Sequence, residues 1–151
     1  MKSQIPFKPL AALFAGTLTL YFIAYTGIEH HRARNGPWRL AFTNDPAGAA
    51  LLVINQPRLA ITNVQIVFPG AALAPASPAA PPAWDQARVV PFDAGFGRCV
   101  FLDTTTQPGT VVLEIGGHEI QLLPRALTID KKERPWQSGE TISLYGLTTE
   151  K

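Results

Sequence analysis

Residues 114–123 read EIGGHEIQLL, two glutamates and a histidine within six positions around a Gly-Gly pair. The stretch is either an acid/base or metal constellation or the turn of a β-hairpin that carries charge, and the choice governs the fold. Glycine enters the left-handed backbone region at no steric cost, so Gly116-Gly117 suits a two-residue hairpin turn. Such a turn pairs Ile115 with His118, Glu114 with Glu119 and Leu113 with Ile120. Strand alternation then puts Val111, Leu113, Ile115, His118, Ile120 and Leu122 on one face, and Glu114, Glu119 and Gln121 on the other. His118 and the glutamates therefore point to opposite sides of the sheet and cannot share a ligand. The opposed carboxylates cost roughly 0.2–1 kcal/mol unless a Lys or Arg on a neighbouring strand, or a cation, relieves them. The spacing reads as a hairpin with a solvated face, with His118 as a hydrogen-bonded residue at its rim.

Outward from the hairpin, the same period of two continues. WRLAFT (38–43), ALLVIN (50–55), LAITNVQIVF (59–68), ARVVPF (87–92), RCVFLD (98–103), RALTID (125–130) and ETISLYG (140–146) read as strands. TNDPAG, NQP, DAGFG, TTTQPG and KKERPWQSG separate them as turns. In 59–68 the apolar phase slips by one residue between Ile61 and Val64, which is what a β-bulge at Thr62-Asn63 produces. Residues 69–83, PGAALAPASPAAPPA, lack charge and are dense in proline, so they read as a semi-extended loop. Short strands at near-regular spacing predict a mainly β domain over 38–151, a β-sandwich of immunoglobulin-like architecture without the cysteine and tryptophan spacing of antibody domains.

The N-terminal end differs. Residues 10–28 carry no charge, long enough to span a hydrocarbon core, behind a short basic leader (1–9) with Lys2 and Lys8. A cleaved signal peptide is the competing reading, but no good pair of small residues marks a cleavage site. The sequence predicts a single transmembrane anchor at 10–28 and a juxtamembrane linker at 29–37. In that linker Arg32 and Arg34 are candidate lipid-headgroup contacts. His30 and His31 are adjacent, so on a helix they diverge and do not chelate. Positive charge on the two flanks is nearly balanced. A long domain is translocated largely regardless of charge, so the expected location is a bacterial inner membrane with the domain on the periplasmic side.

Charged residues make up only 16% of the chain and the net charge is +2 with both signs interspersed, which gives no stripe for nucleic acid. With one cysteine and three histidines, no zinc or copper ligand set is evident, and no cofactor motif occurs. Cys99 reads as a small buried hydrophobe. Asp85, Asp93, Asp103 and Asp130 lie beside turns, where aspartate bonds its own backbone. The leading expectation is a non-catalytic, membrane-anchored domain that binds an envelope protein as an accessory or assembly subunit of a membrane complex. The alternative is a glycan or cell-wall binding module that stacks sugars on Trp84, Trp136 and Tyr145. A third reading, a hydrolase or metal enzyme, requires His118 to meet a carboxylate or Cys99 in the fold.

Overall fold

The computed structural model describes residues 7–70 and 82–146. The chain divides into two units, Met1–Arg34 and Asn35–Lys151. The described residues of the first form the helix α1 (Phe7–Arg32), whose 26 residues span about 39 Å at the α-helical rise. It is long and apolar enough to cross a membrane, and Leu13, Phe14, Leu20 and Ile23 on it are exposed. Its polar side chains cost little in an apolar surrounding, because Thr17, Thr19 and Thr26 each donate to the carbonyl four residues earlier, at 2.9, 2.9 and 2.8 Å. The helix runs past the expected end of the anchor at residue 28 and takes in residues 29–32 of the expected linker. Glu29 and Arg32, three apart and so on one helix face, pair at 2.8 Å there.

Among the described residues the second unit has ten strands: β1 (Arg39–Asn44), β2 (Ala50–Gln56), β3 (Ile61–Phe68), β4 (Phe92–Ala94), β5 (Gly97–Leu102), β6 (Val111–Ile115), β7 (His118–Leu122), β8 (Leu127–Ile129), β9 (Lys132–Arg134) and β10 (Thr141–Ser143). They form two sheets, of order β1-β2-β3-β10 and β4-β5-β6-β7-β8-β9. Alternation explains the packing: Leu52, Ile54, Val64, Ile66 and Phe68 of the first sheet and Cys99, Leu113, Ile115, Ile120 and Leu122 of the second belong to one buried core. The mainly β expectation is therefore met by two sheets around one core. Their connectivity is simpler than the Greek key of an immunoglobulin domain: strands are neighbours in chain order, and only β10 crosses over, to pair in parallel with β3.

Register follows the sequence where the signal is local. Ile54 faces Val64 and Gln56 faces Ile61, so β3 carries one extra residue at Thr62-Asn63, where Asn63 sits at φ +53°. That is the expected bulge. Two boundaries differ from expectation. The strand expected at 87–92 contributes only Phe92, since Pro91 has no amide donor and the pairing instead runs Phe92 to Ala94 around the turn at Gly95. Residues 131–139, expected as a turn, contain β9, because Asp130 and Lys131 close a tight turn at φ +50° and +66° that aligns Lys132 with Ile129. Of the expected loop at 69–83, residues 71–81 lie outside the described residues, as does the leader up to residue 6.

The domain begins on a pair of anchored side chains. Buried Gln56 donates from Nε2 to the carbonyls of Gly36 and Pro37, both at 3.0 Å, and its Oε1 accepts the Arg58 amide. Trp38 donates its indole N–H to the Gly109 carbonyl at 2.7 Å and lies 5.4 Å from the Trp136 ring. Buried polar atoms with all partners met fix a segment in one position, so residues 36–38 are held to the sheets of the second unit.

Candidate functional site

The hairpin of β6 and β7 has the register that its sequence predicts: Ile115 faces His118, Glu114 faces Glu119 and Leu113 faces Ile120, with Gly116 and Gly117 at φ +59° and +85°. Val111, Leu113, Ile115, His118, Ile120 and Leu122 are buried, whereas Glu114, Glu119 and Gln121 stand at the surface edge. The opposed carboxylates are relieved from both sides. Arg98 of β5, opposite Glu114 in the register, donates to its Oε2 from Nε at 2.7 Å and from Nη2 at 2.6 Å, and Gln121 donates to Glu119 at 2.6 Å. An open depression of about 560 Å³ lies over this face, lined by Asp93, Arg98, Glu114, His118, Glu119 and the turn glycines.

His118 is the chemically distinctive group at this end of the sheet. Its side chain is only 6% exposed, and both ring nitrogens face oxygen acceptors: Nδ1 lies 2.7 Å from Asp130 Oδ2, and Nε2 lies 2.8 Å from the Tyr145 carbonyl. The second Asp130 oxygen accepts the Glu119 amide at 3.0 Å, while the Asp130 amide donates back to the Glu119 carbonyl at 2.9 Å. Burial works to raise the Asp130 carboxyl, yet the hydrogen bonds from His118 and the Glu119 amide, with the charges of His118 and Lys132, outweigh it and hold the group below its ordinary value. The pair has the carboxylate-oriented imidazole of an acid/base dyad, but its outer nitrogen is occupied by a backbone carbonyl instead of a hydroxyl or thiol.

The third sequence reading asked whether His118 meets a carboxylate or Cys99, and the fold answers for each. His118 meets Asp130. Cys99 lies in the core with its Sγ donating to the Phe101 carbonyl at 3.2 Å, and burial pushes its thiol up to about 11 despite that bond. Among the described residues, no group of three or more His, Cys, Asp or Glu side chains comes together as a metal site. In the sequence Asp130 has only the signature of a turn residue, which does not mark it as a partner of His118. The β7–β8 connection supplies the placement: Leu123 and Ala126 exchange both backbone bonds around Pro124-Arg125, which carries the register on to place Asp130 opposite Glu119.

The aromatic residues considered for sugar stacking are separated in function by burial. Trp84 is in the core at 6% exposure, 6.1 Å from Phe92. Trp136 packs on Trp38 and donates its indole N–H to the Leu123 carbonyl at 2.9 Å. Tyr145 alone is open, at 71% exposure. Trp84 therefore serves as packing in the core, while Trp136 is half-buried against it and Tyr145 stands open, so the three differ in how much ring face they present. Of the two arginines read as headgroup contacts, Arg32 makes its ion pair with Glu29 and Arg34 follows the end of α1. Comparison with protein-family models, curated proteins and solved structures gives no match, so function is argued from the chemistry of these residues.

Proposed function

We propose that the chain is a single-pass membrane protein whose two-sheet domain serves as a non-catalytic interaction module, an accessory or assembly subunit of an envelope membrane complex. The observation that carries this reading is α1, whose exposed apolar side chains match a hydrocarbon surrounding, joined in one chain to a domain with an independent core. The domain itself supports recognition over catalysis. Its one buried imidazole spends both nitrogens within the fold, and its thiol is sealed in the core. Val89, at 90% exposure, and Phe101, at 48%, are large apolar side chains held at the surface, of the kind an interface covers.

Charge flanking α1 is nearly balanced, and a domain of this length is translocated largely regardless of charge, so in this reading the domain lies on the periplasmic side of a bacterial inner membrane. In this reading the domain is a two-sheet sandwich of the immunoglobulin-like kind in its layering, with the strand order of paired meanders. The test is crosslinking in intact membranes followed by recovery of the detergent-solubilised full chain. One defined membrane protein recovered at near-constant ratio over several expression levels is the expected result, and a chain recovered alone at every level overturns the proposal.

A further inference from the structure

The contact of His118 with Tyr145 joins the two sheets at one end of the core. β10 belongs to the four-stranded sheet through its parallel pairing with β3, and its last bond there is the Leu144 amide donating to the Val67 carbonyl at 2.8 Å. The next residue, Tyr145, turns its carbonyl to His118 of the six-stranded sheet. We infer that His118 is a proton-operated latch, holding residues 144–146 against the β6–β7 hairpin when the imidazole is doubly protonated and releasing them when the imidazole is neutral.

The geometry compels the coupling. A ring nitrogen 2.7 Å from a carboxylate oxygen and another 2.8 Å from a carbonyl oxygen both have to donate, and only the imidazolium carries two N–H groups. The Asp130 carboxylate is the stronger acceptor, so Nδ1 keeps its hydrogen and Nε2 yields its proton to water. The bare Nε2 lone pair then faces the carbonyl lone pairs, and attraction becomes repulsion. Asp130 is fixed for this role. Its amide and one carboxylate oxygen are bonded to Glu119, and it is held at φ +50° in a turn that an unsupported aspartate adopts at a cost.

Among the described residues, the titratable and charged groups around the contact include Asp93 of β4, which lines the same depression, and the phenol of Tyr145 itself. Asp130 lies on the β8–β9 turn with Lys131 and Lys132 after it, Glu119 is on β7 itself, and Glu114 lies across the hairpin with its Arg98 partner on β5. The segment after β10 presents a backbone carbonyl to the ring.

The experiment uses the ¹⁵N-labelled full chain in detergent micelles, with the His118 ring nitrogens and backbone amide protection factors followed from about pH 5 to about pH 9. Expected is a doubly protonated ring at the acid end. As the ring titrates, protection of the Leu144 amide should fall about tenfold relative to Ile120, the size of one lost charge-assisted hydrogen bond. In His118→Gln the pH dependence of Leu144 should vanish. A ring that is neutral throughout, or one that titrates while Leu144 protection tracks Ile120, overturns the latch. If the variant does not fold, the wild-type titration decides the matter by itself.

Discussion

A β-carbon placed on Gly109 would lie 1.9 Å from the Asp103 carbonyl oxygen, a backbone atom that cannot swing aside. The same residue offers its own carbonyl to the Trp38 indole, so a shift of the loop also loosens the first anchored side chain of the domain. Gly109→Ala should therefore destabilise the domain by about 2 kcal/mol or more, at the upper part of the overpacking range, as read from denaturant melts of the full chain in micelles. A variant as stable as the wild type would mean that the 103–109 loop is packed otherwise. Asp130 gives the residue scale its pH dependence. Its carboxyl is held below its ordinary value in the folded state, so its contribution to stability is complete above the unfolded value and is lost as pH falls through the folded one. Asp130→Asn should consequently melt below the wild type at neutral pH. The gap between the two melting temperatures should close as the solution is made more acid than the usual aspartate range, and a gap that widens instead would contradict the assignment.

At the scale of elements, the β6–β7 hairpin separates two kinds of substitution. Gly116 and Gly117 both adopt positive φ, and a Cβ on Gly116 would meet nothing closer than Phe68 Cδ1 at 3.6 Å, so the cost of a side chain there is backbone strain and not a clash. Replacing both by valine should cost several kcal/mol, at roughly 1–3 kcal/mol per strained residue. Glu114→Gln with Glu119→Gln should change stability by less than about 1 kcal/mol, because the loss of the exposed Arg98 pair and the relief of the opposed carboxylates offset one another. Thermal melts that reverse this order would refute the register. The hairpin, its turn and the bulge at Thr62-Asn63 were legible in the sequence because each is written in neighbouring residues: two glycines for a turn, one slipped position for a bulge. The strand at 132–134 was not. Lys132, Glu133 and Arg134 have no apolar alternation, and they pair only because the Asp130-Lys131 turn delivers them to the edge of a sheet already formed.

For the whole molecule, the decisive property is the separation of an apolar helix from a domain that holds its own core. Wild-type chain should remain in the membrane fraction through alkaline carbonate extraction. Leu20→Arg, near the middle of α1, should shift it toward the soluble fraction, since a central arginine costs about 2.5–3.5 kcal/mol on insertion scales. Extraction of the wild type would remove the anchor reading altogether. The sequence by itself determined the apolar span, the mainly β character, the hairpin register and the separation of His118 from the glutamates. All of these follow from short-range periodicity, which each residue carries in its side chain. Tertiary structure alone decided that Trp84 is buried and Trp136 half-buried, that β10 crosses to run parallel with β3, and that His118 lies between Asp130 and the carbonyl of Tyr145. These depend on which distant strands become neighbours and, for Tyr145, on a backbone oxygen. Every residue possesses that oxygen, so only the path of the folded chain can single out the one that meets the imidazole.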